Sequence, residues 1–243
     1  MEILYDDNHM IAVIKPPGVL SQGADDDAVD MVNVLKADIK ERYQKPGHVF
    51  VGLVHRLDRN VGGTMVFAKT SKGASRLSAA LRAKQFYKAY FALAEGLMEE
   101  SEMTLENYLY KDEKQNQVRE DAVKGKRSVL KVIRLAVNPQ EKKTLALAMP
   151  ITGRSHQIRV QMALTGLPLA GDRKYGTGPA PSGRREDLGL WSCHVAVKHP
   201  VREEIMHFTS VPERTGVWKA FDEEDYERGR HVPLERIIAW FTI

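Results

Sequence analysis

The chain has 243 residues, 43% hydrophobic and 28% charged, enough to bury a sizeable core and far too apolar for a disordered tail. Its formal charge of +4 suits a polyanionic partner without demanding one. A single cysteine, Cys193, excludes an internal disulfide and a thiolate metal cage, the longest apolar run (Ala89–Ala94) is too short for a bilayer, and the Met1–Asp7 start lacks a signal-peptide profile, so the expected home is the cytoplasm.

Ile3–Tyr5 and Met10–Ile14 read as two short strands around the turn Asp6-Asp7-Asn8-His9. Lys15-Pro16-Pro17-Gly18 halts the second, because neither proline can donate to a ladder. Thr64–Ala68 is another run of strand formers, after which Ser71 is placed to cap a helix with Ala74, Leu77 and Leu81 on one face. Phe86–Leu93 reads as a strand ending near Gly96. Val129–Val137 and Thr144–Met149 read as two more, joined by Asn138-Pro139-Gln140-Glu141. A second helix is predicted from near Ser155 to Gly166, followed by a Gly- and Pro-rich loop over Gly171–Gly183. Val195–Val197 and Glu204–Phe208 form a last hairpin around His199-Pro200. Many strands in hairpins and few helices predict an α+β fold, a mixed and mainly antiparallel sheet flanked by helices. We expect one domain over residues 1–243, its core ending near residue 212 and an extension following from about residue 213.

Three common chemistries fail on spacing. Cys193, His194 and His199 fit no usual zinc-ligand pattern, and both histidines are expected in the turn or on the surface of the last hairpin. Gly176-Thr177-Gly178 runs into Pro179 and Pro181, which cannot open the helix of a dinucleotide site. His55-Arg56-Leu57-Asp58 looks like a kinase catalytic loop, but Leu57 separates arginine from acid and neither a glycine-rich ATP loop nor Asp-Phe-Gly accompanies it. No metal and no cofactor is expected.

Asp58 lies between Arg56 and Arg59, whose guanidinium groups favour its ionised form. An ionised carboxylate can act as nucleophile or base, and arginines hold phosphate backbones. Alone, such a sequence is better read as a structural salt bridge. Its companions shift the balance. Ile151-Thr152-Gly153-Arg154-Ser155-His156-Gln157-Ile158-Arg159 gathers arginines, an imidazole and an amide near a predicted helix start, and Gly171-Asp172-Arg173-Lys174-Tyr175-Gly176 adds a basic, aromatic loop.

With these elements in this order, the chain resembles the RNA pseudouridine synthases of the branch named for RluA, RluC and RluD, from about Ile3 to about Phe208. Lys15-Pro16-Pro17-Gly18 is similar to the family's early Lys-Pro-x-Gly element, and His55–Asp58 to its signature, which makes Asp58 the catalytic residue. Lys88–Ala92 through Gly96 resembles the strand that supplies an active-site tyrosine, here Tyr90. Gly153–Arg159 resembles the segment that supplies the active-site arginine, placed at Arg154, with Ile158 as packing or a pocket wall. The resemblance implies the pseudouridine synthase fold and isomerisation of a flipped-out uridine in tRNA or ribosomal RNA, with Arg56 entering the space the base leaves. It further implies RNA contacts from His55, Arg59, Arg159, Arg173 and Lys174, and a monomer is favoured. Val61-Gly62-Gly63 stands where relatives often have Thr-Ser-Gly, and Leu190-Trp191-Ser192 where many have Leu-His-Ala. The N-terminal RNA-binding domain frequent in the family is expected to be missing, since the first strand starts at Ile3. Two other classes stay open: an RNA-binding module without catalysis, and a glycosidase that cleaves without reattaching.

Overall fold

The computed structural model describes residues 1–23, 29–176 and 188–241, and the chain divides into two compact units. Unit 1 comprises Met1–Tyr87 and Ser192–Ser210; unit 2 comprises Lys88–Trp191 and Val211–Ile243. Unit 1 opens with β1 (Ile3–Asp6), β2 (Met10–Lys15), α1 (Met31–Arg42), β3 (Gly52–Leu53), β4 (Gly62–Ala68) and α2 (Ser71–Arg82). Next come β5 (Phe86–Glu95), β6 (Glu102–Asp112), β7 (Gln117–Glu120), β8 (Lys126–Asn138), β9 (Lys143–Pro150) and α3 (Gln157–Leu164), which build unit 2. The chain returns to unit 1 through β10 (Leu190–Lys198) and β11 (Ile205–Thr209), and ends in unit 2 with α4 (Glu223–Arg230) and α5 (Leu234–Phe241). Among the described residues no helix is long and apolar enough to cross a membrane.

In unit 1 the strand order is β1-β2-β4-β10, with β3 on β4 and β11 on β10. β2 and β4 pair antiparallel, Val13 facing Met65 and Lys15 facing Gly63. All of β4 is buried, as its unbroken Gly-Gly-Thr-Met-Val-Phe-Ala run requires. At Gly63, φ is +115° and a Cβ would lie 2.4 Å from the Ser192 carbonyl oxygen, so this glycine is demanded by close backbone approach. Met10, Val66, Leu77, Phe86, Val197 and Phe208 form the core beneath α2. That helix is capped by Thr70 rather than Ser71: the Thr70 hydroxyl accepts from Gly73 N–H at 3.0 Å, and Ser71 is the first helical residue.

Of the two histidines of the last hairpin, His199 lies in the turn between β10 and β11 as expected, whereas His194 lies within β10, and neither is on the surface. His194 and His199 are 1% and 3% exposed. His199 Nδ1 accepts from the Val201 and Arg202 N–H groups, so Nε2 carries the proton and donates to Asp7 at 2.9 Å. The imidazole thereby closes its own turn from within and fastens it to the β1–β2 turn. His194 stacks on His207, the ring centroids 5.2 Å apart.

Unit 2 carries the order β5-β9-β8-β6-β7, antiparallel at each step with described register. Residues 97–125, for which the sequence predicts no element, supply β6 and β7, and residues 29–53 supply α1 and β3. On β6, Glu102, Thr104, Glu106 and Tyr108 are exposed, alternating with the more buried Met103, Leu105, Asn107 and Leu109. Leu109 packs with Val118 and Val160 of α3. The C-terminal extension packs on this unit: buried Tyr226 meets Phe91 edge-on at 5.6 Å and donates to the Trp218 carbonyl at 2.8 Å. A Cβ at Gly229 would meet the Phe91 ring at 2.3 Å, which is how closely α4 lies on the sheet. The mainly antiparallel sheet with helices against it is the α+β arrangement expected. The predicted loop over Gly171–Gly183 falls partly outside the described residues, as do Pro179, Pro181 and the acidic Asp25–Asp27.

Candidate active site

Between β3 and β4 the chain turns with a charged segment, and it is the backbone of that segment that is anchored. Leu57 donates its N–H to Ser21 Oγ at 3.0 Å and accepts from the same hydroxyl at 2.9 Å. The Asp58 carbonyl accepts from Val61 N–H at 3.0 Å, closing a four-residue turn. The Arg59 carbonyl accepts from Gly18 N–H at 2.9 Å, while Arg59 Nε donates to the Gly18 carbonyl at 2.8 Å. Gly18 has φ +86°, a left-handed conformation that suits glycine.

Under this turn sits Lys15, the last residue of β2 and fully buried. Its ammonium donates to the carbonyls of Pro16, Val19 and Arg59 at 2.9, 2.7 and 3.0 Å, so each N–H has a partner. Burial pulls its pKa down to about 8, opposed by the charge of Asp58 and assisted by that of Arg59. His55 is 6% exposed; its Nε2 accepts from Val66 N–H at 3.0 Å and its ring lies 4.9 Å from Phe86. His55, expected to contact RNA, is therefore a core fastener of the loop. Arg56 is exposed and its guanidinium has no partner among the described residues, whereas Asp58 is half-buried.

In unit 2 the segment before α3 is organised by the Gln157 side chain. Its Oε1 accepts from Arg154 N–H at 3.0 Å and Thr152 Oγ1 at 2.8 Å, and its Nε2 donates to the Val129 carbonyl at 2.9 Å. His156 takes φ +51° with no capping side-chain bond, which starts the helix at Gln157 instead of near Ser155. The exposed Arg154 guanidinium donates to the Arg127 carbonyl from Nε at 3.3 Å and Nη2 at 3.2 Å. Arg159, also expected to face RNA, instead makes a two-pronged pair with Asp172, both bonds 2.8 Å, with the Asp172 side chain 0% exposed. Burial would raise the Asp172 carboxyl, but Arg159 and the N–H groups of Lys174 and Tyr175 outweigh it and hold it low. Arg159 also lies 5.1 Å over the Tyr175 ring. This pair is framework.

Asp58, Arg56, Arg59 and His55 thus belong to unit 1, and Tyr90, Arg154, Ile158, Arg159, Arg173 and Lys174 to unit 2. Tyr90 is 5% exposed on β5, opposite Ala148 of β9, and Ile158 is 6% exposed on α3. Arg173 is exposed, and the half-buried Lys174 donates its ammonium to the Asn116 carbonyl. Sequence reasoning gave no role to Ser21, and placed Lys15, Gln157 and Lys88 in motifs without assigning any of them a structural task. Lys88 lies two residues before Tyr90 on β5, hence on its face. Burial pushes its ammonium down to about 8, and it has no partner among the described residues. Lys15 carried a readable signal: a lysine ending the run Met-Ile-Ala-Val-Ile before two prolines must either leave the core or be fully bonded inside it.

The RNA pseudouridylate synthase family matches residues 9–164. The chain is 32% identical over 207 residues to an uncharacterized RNA pseudouridine synthase, YhcT, of Bacillus subtilis, covering 85% of this chain and 67% of that one. It is 34% identical over 215 residues to ribosomal large subunit pseudouridine synthase C of Vibrio parahaemolyticus, covering 86% and 64%. With the dual-specificity RNA pseudouridine synthase RluA of Haemophilus influenzae it shares 31% over 211 residues, covering 86% and 92%. The chain thus spans about two thirds of the first two relatives and nearly all of the third. The solved structure of human RNA Pseudouridylate Synthase Domain Containing 4 has the same fold, with a TM-score of 0.72 at 20% identity over 96% of this chain and 94% of that one.

Proposed function

The chain belongs to the RNA pseudouridylate synthase family, and from that premise we propose that it isomerises uridines in RNA to pseudouridine, with Asp58 doing the chemistry. The name of one relative, a ribosomal large subunit pseudouridine synthase, supports ribosomal RNA as the substrate; tRNA as the other substrate, a cytoplasmic home and a single catalytic domain acting as a monomer are parts of the proposal. The reaction breaks the C1′–N1 bond of a uridine, turns the uracil and forms C1′–C5; C5 gives up its proton and N1 takes one up. Substrate and product are isomers, so the balance requires no oxidant, reductant or group donor.

The observation that carries this reading is the Asp58 turn itself. Its backbone is fixed by Lys15, Ser21 and Gly18, while Asp58 stays half-buried and Arg56 exposed. A carboxylate held in a rigid turn attacks C1′ or takes a sugar proton without first losing freedom. Arg56 is placed to enter an RNA stack as the uridine leaves it, an extrusion costing about a few kcal/mol. Tyr90 would lie against the flipped base, and Arg154 would serve as the active-site arginine that the resemblance implies, a guanidinium of the kind that favours an ionised carboxylate. The Arg154 bonds to the Arg127 carbonyl are long, 3.2–3.3 Å, so this guanidinium is weakly held within its own unit.

The test uses RNA carrying tritium at uridine C5. Release of tritium with an intact chain and no abasic sites supports isomerisation. Binding without release would reduce the protein to an RNA-binding module, and abasic RNA would make it a glycosidase.

A further inference from the structure

On β6 the side chains that leave the core are those of Glu106, Tyr108 and Tyr110, while Leu105 and Leu109 turn inward. Tyr108 is 46% exposed. The neighbouring strands complete a surface around the two rings. Arg119 of β7 stands directly opposite Tyr110, its guanidinium 5.7 Å from the ring centroid, and the Lys124 ammonium lies 5.9 Å from the same ring. Arg127 of β8 stands opposite Tyr108 and donates two bonds to the Glu106 carboxylate at 2.7 and 2.8 Å.

The turn that carries Lys124 is built, not slack. Asp121 N–H donates to the Tyr108 carbonyl and Gly125 N–H to the Asp121 carbonyl, both at 2.8 Å. Asp121 Oδ1 accepts from Val123 and Lys124 N–H at 3.0 and 2.9 Å. A Cβ at Gly125 would lie 2.5 Å from the Tyr108 backbone, so only glycine lets the turn sit this close to the strand. A surface turn with no packing duty for its tip is nonetheless fixed so that Lys124 meets an aromatic ring.

We propose that this outward face of β6, β7 and the turn leading into β8 is a stacking platform for single-stranded RNA, Tyr108 and Tyr110 taking bases and Arg119 and Lys124 taking phosphates. Two tyrosines two residues apart on a strand present rings about 7 Å apart on one face. Sheet-borne aromatics flanked by cations are how protein surfaces hold unpaired bases without sequence preference. A protein partner would call for an apolar centre, and here each ring is ringed by charge instead. The proposal rests on the reading of the chain as an RNA enzyme, yet it is separable from it, because binding is measured without turnover.

Fluorescence anisotropy of a labelled oligouridine of about ten residues tests it on the full chain. The Tyr108→Ala/Tyr110→Ala variant should bind about tenfold or more weakly at unchanged melting temperature, and Tyr108→Phe/Tyr110→Phe as wild type does. Tyr108→Ala alone, at an exposed site, should weaken binding about threefold even if the double variant melts early. Lys124→Ala should lower the salt slope of binding by about 0.7. Wild-type affinity in the alanine variants, or no oligouridine binding by wild type, would overturn the platform. Tritium release with the platform variants binding normally would leave the enzyme reading standing and remove this surface; oligouridine binding lost in the variants, without tritium release by wild type, would do the reverse.

Discussion

The Asp58 turn of unit 1 and the Thr152–Tyr175 segment of unit 2 both place arginines beside acids, and they secure them by opposite means. In the first, the backbone is gripped by the buried Lys15 ammonium, the Ser21 hydroxyl and a two-way exchange between Arg59 and Gly18, while the Arg56 guanidinium stays exposed. In the second, the charges themselves fasten: Arg159 locks onto Asp172, and Gln157 ties Thr152, Arg154 and Val129. In the proposed function, the acid of the first segment serves chemistry and the acid of the second serves the framework. The comparison therefore separates residues that look alike in the sequence.

The largest effect is expected at Asp58→Asn, which should lower turnover by about a thousandfold or more while leaving the melting temperature within about a degree. Asp172→Asn should do the converse. It strips a mostly buried guanidinium of its counter-charge, so urea unfolding should show a loss of about 3 kcal/mol, with turnover per folded molecule near wild type. Lys15→Met should fall between the two, because it removes the clasp and orphans three carbonyls. A stability loss of about 2 kcal/mol together with about tenfold lower turnover is expected. Its pH profile sharpens the point. The folded pKa is about 8, so wild-type turnover should fall as pH rises through that value, where a neutral amine has too few N–H groups for three carbonyls. Lys15→Met should show no such step.

The smallest effect concerns Asp7, another acid used as a fastener. Burial would raise its carboxyl, but the N–H groups of Met10 and His9, with His199 and Tyr5, bring it down to about 2 from 3.8. A depressed acid contributes stability that is fully present above its unfolded value and is lost as pH falls through the folded one, so the window is about pH 4 to about 2. Asp7→Asn should remove about 1–2 kcal/mol at neutral pH and flatten acid unfolding across that window, read by thermal melts at successive pH values.

Much of this was legible in the sequence where local pattern and tertiary role coincide. The β8–β9 and β10–β11 hairpins are marked by apolar runs and turn residues, and β4 by its unbroken run. β6 was missed because its outward positions carry Glu102, Thr104 and Glu106, so a strand with one wet face read as a polar loop. α1 was missed because Lys36, Asp38, Lys40 and Glu41 interrupt the spacing of Met31, Leu35 and Ile39. α3 starts at Gln157, two residues past Ser155, where a left-handed His156 precedes it and the Gln157 amide bonds back to Arg154. At the site, composition showed which residues could be charged, but not which charges were consumed. His55 and Arg159 read as RNA contacts because their partners Val66 and Asp172 lie 11 and 13 residues away, and nothing local announces those bonds. Lys15 alone was decodable from burial logic.

The contrast between a reactive acid and a fastening acid is tested most directly by one measurement. Single-turnover tritium release from C5-labelled RNA is followed for Asp58→Asn and Asp172→Asn side by side, each normalised to its folded fraction. The account predicts release below detection for Asp58→Asn and a rate within about fivefold of wild type for Asp172→Asn. Release by Asp58→Asn at near the wild-type rate, or its loss in Asp172→Asn alone, would contradict it.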